Sequence, residues 1–444
     1  MGDMAHGPEV QRWRNLVICS DGTGNTFQQR VSNVSYLVRV LDLAHPDDQI
    51  VFYDQGIGTT ASLVEDVQAF KDSGGSDREA LEILPPPKVW VARRVAKLAG
   101  LTVGYGLRAN LREMYQALAR KYVDPKSDFI FLLGFSRGAF TVRALAGLLY
   151  RCGLPAKQFA DDDKAFTCCF SEAYALYQPH CADWVRIDRF KKTYGASEVD
   201  IHFLGIWDTV KSYGGIRPRS LPHLRHNPAV RQVRHALALN ERRSWFLPTS
   251  WGWIDIDAPL VCTLRPDPRY VGQREKIREV WFRGCHSDIG GGDKEADTAK
   301  ISFRWMLGEA TQAGLLLDPD CDPDHKRWIF EQDRTNVRAV ISESFNAGWW
   351  VSDWVPRWEL DNHTRPPGYS LKWRGKGKRC PDDFRREGNL YFHATVGVDA
   401  CEGLQVSEAL PRLTREEVIR ERVAQGLCVG DSLRTGWNSR AAPC

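Results

Sequence analysis

Residues 128–150 read DFIFLLGFSRGAFTVRALAGLLY. The apolar run Phe129–Leu133 predicts a buried strand, and the apolar positions from about Ala139 onward predict a helix. Between them lies Gly134–Gly138, a pentapeptide of the form Gly-x-Ser-x-Gly. A sharp strand-to-helix turn of this kind presents its serine on strained backbone, where bulky residues two positions away would clash. The stretch therefore predicts a nucleophile elbow centred on Ser136.

Strands and helices alternate on both sides of this elbow. The predicted strands are residues 15–19, 49–54, 129–133, 199–207 and 279–283. Helical spacing is found over residues 33–43, 106–122, 139–150, 160–189, 230–243 and 297–313. This order is typical of an α/β fold with a mostly parallel central sheet and helices on both faces.

Composition excludes several classes of protein. The chain has 444 residues, of which 43% are hydrophobic and 26% charged, as in soluble globular proteins. A net charge of +4 does not indicate a nucleic-acid partner. No apolar run reaches the ~18–20 residues of a membrane span and residues 1–14 are polar, so we expect a cytoplasmic protein as synthesised, without a signal peptide. The 12 scattered cysteines, with no Cys-x-x-Cys, predict free thiols and no zinc.

Three residues suited to nucleophilic catalysis follow predicted strands in the order Ser136, Asp208, His286. The carboxyl ends of parallel strands meet at one edge of a sheet, where ligands collect. A serine needs a histidine to remove its proton and a carboxylate to orient that histidine, and this chain order is the one that α/β-hydrolases use. The rival base is His393. The rival acids are Asp54 and Asp288.

A second glycine-containing loop, Asp21–Asn25, follows the first predicted strand. Its backbone amides could bind an anion, either a phosphate or the oxyanion of a reacting ester. The loop lacks the lysine of a P-loop and the third glycine of a dinucleotide fingerprint, which disfavours nucleotide binding. A weaker alternative is a metal site built from carboxylates, which hard cations prefer. Its candidate ligands are Asp21, Asp54, Asp208, Asp288 and Asp293. We expect no cofactor.

The domain organisation follows from where the pattern weakens. Residues 14–315 form the predicted catalytic core, with a cover inserted near residues 62–103. Residues 316–444 form a Trp-rich and basic C-terminal extension. Within it, four tryptophans and the basic run 372–379 could form a surface for peripheral membrane contact, or the tryptophans could be core residues beside a solvated loop. The tryptophans are Trp349, Trp350, Trp354 and Trp358.

Several of these stretches together resemble the DUF2235 family of α/β-hydrolases, which includes the Tle1-type phospholipase effectors of type VI secretion. The resemblance covers residues 14–310. It is carried by residues 19–25 (CSDGTGN), 53–58 (YDQGIG), 134–139 (GFSRGA), 206–210 (IWDTV), 235–242 (HALALNER) and 281–292 (WFRGCHSDIGGG).

The resemblance implies an α/β-hydrolase core that cleaves esters, with lipid or phospholipid acyl esters as substrates and with export by a dedicated secretion system. Ser136 would be the nucleophile, His286 the base and Asp208 the orienting acid. Gly22 and Thr23, with the amide of Arg137, would form the oxyanion hole. Two alternatives stay open: a non-catalytic binding protein on a hydrolase scaffold, and an anion- or nucleotide-binding protein that uses the Asp21–Asn25 loop.

Overall fold

The computed structural model describes most of the predicted core and parts of the C-terminal extension. The described residues are 13–22, 31–56, 68–73, 75–84, 103–125, 127–178, 183–210, 221–224, 226–243, 246, 248–249, 251, 277–292, 297–321, 342, 357–361, 368–372, 379 and 391–392.

Among these residues, eight strands form one sheet in the order β10-β7-β6-β5-β4-β1-β2-β3, and every pair of neighbours is parallel. In chain order they are β1 (Arg14–Ser20), β2 (Gln49–Asp54), β3 (Leu81–Ile83), β4 (Asp128–Phe135), β5 (Ile201–Trp207), β6 (Val233–Ala238), β7 (Ile277–Phe282) and β10 (Tyr391–Phe392). A separate antiparallel pair joins β8 (Arg357–Asp361) to β9 (Gly368–Lys372). The predicted α/β fold with a parallel sheet is confirmed.

Helices cover both faces of the sheet, because successive side chains of a buried strand point to opposite sides. In β1, Leu16 and Ile18 belong to one buried apolar cluster, while Val17 and Cys19 belong to the other. In chain order the helices are α1 (Asn33–Val40), α2 (Val103–Lys121), α3 (Arg137–Cys152), α4 (Lys157–Asp161), α5 (Asp163–Leu176), α6 (Trp184–Tyr194), α7 (His286–Gly290) and α8 (Asp297–Gln312). Helices α2, α3, α5 and α6 pack on the first face, and α1 and α8 on the second.

The sheet order reverses between β1 and β4. From β1 the chain adds β2 and β3 toward one edge, and then returns to place β4 and the later strands on the other side. In open parallel sheets the crevice at such a switch point, outside the carboxyl ends of the strands, is where ligands bind. Here the residues at that point are Ser20 at the end of β1 and Ser136 directly after β4.

Two segments differ from the sequence predictions. The helix predicted over residues 230–243 is wrong, because Val233–Ala238 forms the strand β6. Alanine, leucine and arginine favour a helix locally, but β6 is buried along its whole length between β5 and β7, and tertiary pairing overrides that preference. Leu81–Ile83, inside the segment predicted as a cover, is the edge strand β3. Residues 57–67, 74 and 85–102 of that region lie outside the described residues, and the cover stays a prediction.

The extension predicted over 316–444 contacts the core at several described points. β10 pairs with β7, Leu317 forms a bridge with Leu41, and Ser342 and Arg379 donate hydrogen bonds to core carboxylates. Within the part of the chain that is described, no helix is long and apolar enough to cross a membrane.

Candidate active site

Ser136 occupies the predicted elbow between β4 and α3. Its backbone has φ 56° and ψ −116°, a conformation that non-glycine residues rarely adopt. Its amide donates to the carbonyl of Trp207 at 3.0 Å, which ties the turn to the end of β5. Strained backbone of this kind persists only where the surrounding structure holds it, and it is found often at functional sites.

The two glycines of the elbow are required by space. A Cβ atom at Gly134 would lie 2.8 Å from the backbone nitrogen of Ala139. A Cβ atom at Gly138 would lie 2.1 Å from the carbonyl oxygen of Ser20. Both distances are shorter than real Cβ contacts, so the predicted reason for these glycines is confirmed.

The three side chains predicted to act together form one hydrogen-bonded chain. Ser136 Oγ and His286 Nε2 are 2.7 Å apart, and His286 Nδ1 and Asp208 Oδ2 are 2.6 Å apart. Ser136 and His286 are 8% and 6% exposed, whereas Asp208 is fully buried. The serine therefore lies at the open end of the chain and the carboxylate at its closed end.

The elements that carry these residues explain how distant parts of the sequence meet. Asp208 follows β5 directly, its backbone has φ 39°, and its amide donates to the carbonyl of Ala236 at 2.7 Å. His286 is the first residue of α7, four residues after β7 ends. Its own amide donates to Glu241 Oε2 at 3.1 Å.

Aromatic rings pack around the imidazole of His286. The ring centroid of Phe135 lies 4.7 Å from it, and that of Phe246 lies 4.9 Å from it in an edge-on arrangement. A Cβ atom at Gly290 would lie 1.9 Å from the ring of Phe135. The glycines after His286 predicted a closely fitted backbone, and Gly290 confirms this.

The carboxylate of Asp208 has a partner that sequence reasoning missed. Arg379 donates from Nη1 to Oδ1 at 2.5 Å and from Nη2 to Oδ2 at 2.9 Å. It also donates to the carbonyl oxygens of Ala238 and Phe246. In the sequence Arg379 only ends a basic run, and nothing in that run indicates which of its cations is buried. As a buried residue, Arg379 is not part of the cationic membrane-facing surface considered for residues 372–379.

Opposing effects set the protonation of the chain. Burial alone would raise the pKa of Asp208, but the charge of Arg379 and the hydrogen bond with His286 hold it well below its usual value. Burial lowers the pKa of His286 and outweighs the Asp208 carboxylate, which raises it. Asp208 is therefore ionised and His286 neutral at pH 7, which are the states in which histidine can accept a proton.

The rival acids have other partners. Asp288 Oδ2 accepts the amide of Cys285 at 2.8 Å at the start of α7, and its Oδ1 accepts the hydroxyl of Ser342 at 2.7 Å. Asp54 accepts the Ser20 hydroxyl at 2.7 Å and the Asn110 side-chain amide at 2.8 and 3.0 Å. Both carboxylates therefore organise local backbone. The rival base His393 lies outside the described residues.

The loop predicted to bind an anion begins directly beneath Gly138. Asp21 is buried, and its carboxylate accepts the hydroxyls of Ser32 at 2.6 Å and Tyr53 at 3.0 Å. The Gly22 amide donates to Asp21 Oδ1 at 2.6 Å, so in this structure that hydrogen serves the loop itself. Thr23 and the rest of the loop lie outside the described residues.

Arg137, the third predicted oxyanion residue, is the first residue of α3, where amides lack intrahelical acceptors.

The carboxylates considered for a metal do not converge: within the described ranges no group of three His, Cys, Asp or Glu residues could hold an ion. Asp293 lies outside those ranges.

Comparison with known proteins identifies the family to which the chain belongs. Residues 14–309, about two thirds of the chain, match the model for the catalytic domain of Tle1-like phospholipase effectors of type VI secretion. The chain belongs to this family. The matched residues contain Ser136, Asp208 and His286.

Individual relatives are more distant. An uncharacterized protein of Saccharomyces cerevisiae is 32% identical over 238 residues, which are 52% of this chain and 32% of that protein. The chain thus spans about a third of this curated relative. An uncharacterized protein from Pseudomonas aeruginosa aligns over 74% of this chain and 49% of its own, with 17% identity and a TM-score of 0.36. A Tle1 effector solved bound to the VgrG spike of a type 6 secretion system aligns over 88% and 99%, with 14% identity and a TM-score of 0.34.

Proposed function

We propose that this chain is a serine hydrolase that cleaves carboxylic esters, with acyl esters of phospholipids as its substrate class. One observation carries the proposal: the hydrogen-bonded series Ser136 Oγ, His286 Nε2, His286 Nδ1, Asp208 Oδ2, with donor–acceptor distances of 2.7 and 2.6 Å. It lies at the switch point of a parallel sheet, with its serine on strained backbone. Membership of a phospholipase effector family supports the lipid substrate.

In the first half of the reaction, Ser136 Oγ attacks the ester carbonyl carbon while its proton moves to His286 Nε2. The negative charge of Asp208 stabilises the imidazolium that forms. The tetrahedral intermediate collapses when the carbon–oxygen bond to the alcohol breaks and His286 gives that alcohol its proton. The product is an acyl-serine.

In the second half, water takes the place of the alcohol. His286 removes a proton from the water as it attacks the acyl carbon, and the carboxylic acid leaves when Ser136 recovers its proton. Phe135 and Phe246 pack against the imidazole of His286, which is 6% exposed, so its contact with bulk water is limited.

The oxyanion that forms twice in this cycle needs donors aimed at it in advance. The amide of Arg137 is the first donor we assign, because it follows the nucleophile and begins a helix whose N-terminal end favours negative charge. We assign the second donor to the Gly22–Thr23 loop; for Gly22 to serve, its amide must leave Asp21 Oδ1, to which it donates in this structure. Removal of one such donor typically costs about 10²–10³-fold in kcat.

Labelling tests the nucleophile. A fluorophosphonate should form one adduct on the native protein, located by mass spectrometry on Ser136, and Ser136→Ala should abolish it. Labelling that survives this substitution overturns the assignment. Absence of any labelling of folded protein would favour the non-catalytic binding protein instead.

Vesicles test the substrate class. The native protein and Ser136→Ala are each incubated with phosphatidylcholine–phosphatidylglycerol vesicles and with soluble p-nitrophenyl esters, and released fatty acid or nitrophenol is measured. The proposal expects fatty acid release from vesicles by the native protein alone. Hydrolysis of soluble esters without any release from vesicles would keep the serine hydrolase and remove the phospholipid substrate.

A further inference from the structure

We propose that Arg379 is a positioning residue of this active site, which holds the carboxylate of Asp208 in place and balances its charge. The inference rests on the proposed function, because it assigns a role to Arg379 through the acid of the same hydrogen-bonded series. It extends the site to a residue 171 positions from Asp208 and 70 positions beyond the matched family domain.

The contact is a two-pronged ion pair. Nη1 bonds Oδ1 and Nη2 bonds Oδ2, so the planar guanidinium fixes the plane of the carboxylate. Oδ1 also accepts the Ala238 amide at 3.0 Å, and Oδ2 also accepts His286 Nδ1. A carboxylate offers about four lone-pair sites, and all four are occupied. The Asp208 side chain can therefore not turn without breaking a bond to an ionised partner.

The pair is also sealed from solvent. Both side chains are 0% exposed. The two Arg379 nitrogens that bond Asp208 each donate a second hydrogen bond, Nη1 to the carbonyl of Ala238 and Nη2 to the carbonyl of Phe246. A buried ion pair is costly to form and more costly to break, because the partner left behind is an uncompensated charge. The ion pair with Arg379 therefore keeps Asp208 ionised.

The charge of Arg379 has a second consequence for His286. An unshielded buried carboxylate stabilises the imidazolium strongly, whereas one already paired with a guanidinium stabilises it less. Other charges face the same histidine: Glu241 accepts its backbone amide, and Arg243 pairs with Glu241. His235 on β6 is buried, and the charge of Asp208 also acts to raise its pKa. Among these groups Arg379 alone bonds the catalytic carboxylate directly.

Two variants separate charge from geometry. Arg379→Met keeps an unbranched side chain and removes the charge, and Arg379→Lys keeps the charge and removes the forked guanidinium. With Arg379→Met we expect kcat/KM for a soluble ester to fall on the order of 10–100-fold. We expect the acid limb of its pH profile to move up by about one pH unit, because the bare carboxylate raises the proton affinity of His286. Arg379→Lys should lose rate but keep the acid limb of the native protein.

The double variant Asp208→Asn/Arg379→Met tests whether Arg379 acts through Asp208. It removes the pair as a unit, so it should fold even where a single variant does not. Its rate should match that of Asp208→Asn within about threefold, since a residue that acts only through Asp208 adds nothing once Asp208 is neutral. Arg151→Met is the matched control: this arginine is buried, bonds the carbonyls of Leu176 and Gln178, and should leave the acid limb in place.

The outcome is separable from that of the proposed function. If the native protein neither reacts with fluorophosphonate nor cleaves esters, the hydrolase proposal fails. NMR titration of the His286 imidazole can still measure how far its pKa differs between the native protein and Arg379→Met. If the native protein is active and Arg379→Met has the native rate and acid limb, the inference about Arg379 is overturned and the hydrolase stands. Independent, multiplying losses in the double variant would likewise overturn it.

Discussion

Gly138 lies against the carbonyl oxygen of Ser20, so closely that a Cβ atom at residue 138 would be 2.1 Å from that oxygen. The contact joins the first turn of α3 to the carboxyl end of β1. It therefore fixes the distance between the nucleophile at Ser136 and the loop that begins at Asp21. The contact therefore joins the elbow to the residues at which the predicted oxyanion loop begins.

Gly138→Ala should consequently lower both stability and activity. The added methyl group forces backbone apart on two elements, and overpacking of this kind costs about 1–3 kcal/mol in the free energy of unfolding. Urea denaturation measures the loss, and ester hydrolysis measures the displacement of Ser136.

Gly308→Ala is the matched control for this substitution. Gly308 lies in α8 with open space where its Cβ would be, so alanine should stabilise the helix by up to about 1 kcal/mol. Equal effects of the two substitutions would contradict the packing argument.

Substitution of any residue of the hydrogen-bonded series should lower activity, and at Asp208 it should also lower stability. We expect Ser136→Ala and His286→Ala each to lower kcat by about 10³-fold or more, and Asp208→Asn to lower it somewhat less. Asp208→Asn should in addition destabilise the fold by about 3–5 kcal/mol, because it leaves Arg379 buried without its anion. Steady-state kinetics and denaturation on the same samples separate the two effects.

Two other histidines serve as comparisons. His202 bonds the carbonyl of Ala313 and packs on Phe129, far from the serine, so His202→Gln should keep kcat within about twofold of the native value. His393→Ala should keep it as well. A loss with His393→Ala comparable to that with His286→Ala would return His393 as the base.

Local pattern was enough to predict that Ser136, Asp208 and His286 lie together. The glycines around Ser136 and after His286 indicate tight turns from the sequence alone. A parallel sheet brings the carboxyl ends of its strands to one edge, so residues that follow different strands can meet there. Arg379 could not be predicted in this way, because its partner is 171 residues away and its neighbours are other cations. His235 was placed on a helix by its neighbours' preferences, whereas pairing of β6 with β5 and β7 decided its conformation.

Asp54 predicts an unusual dependence of stability on pH. Burial raises its pKa from 3.8 to about 6, although its hydrogen bonds from Ser20, Gly56 and Asn110 act in the opposite direction. The folded protein therefore binds this proton more tightly than the unfolded chain. The resulting stabilisation is complete below about pH 4 and is lost as the pH rises through about 6.

Asp54→Asn cannot titrate, so the native protein should lose stability relative to this variant between about pH 4 and 6, by up to about 3 kcal/mol. Chemical denaturation at several pH values measures the difference. The exposed Asp163 gives the opposite sign, because a hydrogen bond from Gln116 lowers its pKa and its contribution is lost as the pH falls. If the stability of the native protein relative to Asp54→Asn stayed constant or rose with pH, that would contradict the raised pKa.

The acid limb of the native enzyme follows from the surroundings of His286. Burial lowers its pKa below the ordinary 6.5, and the charge of Arg243 acts in the same direction, against the Asp208 carboxylate and Glu241. Only the neutral imidazole can accept the proton of Ser136, so kcat/KM should fall as the pH drops through this lowered pKa. We therefore expect half-maximal activity at a pH below 6.5, measured with a soluble ester whose solubility does not change with pH. The pH dependence of kcat/KM reports the pKa of His286 in the free enzyme. An acid limb centred above pH 6.5 would mean that the Asp208 carboxylate raises this pKa more than burial lowers it. It would also mean that pairing with Arg379 does not weaken the stabilisation of the imidazolium by Asp208.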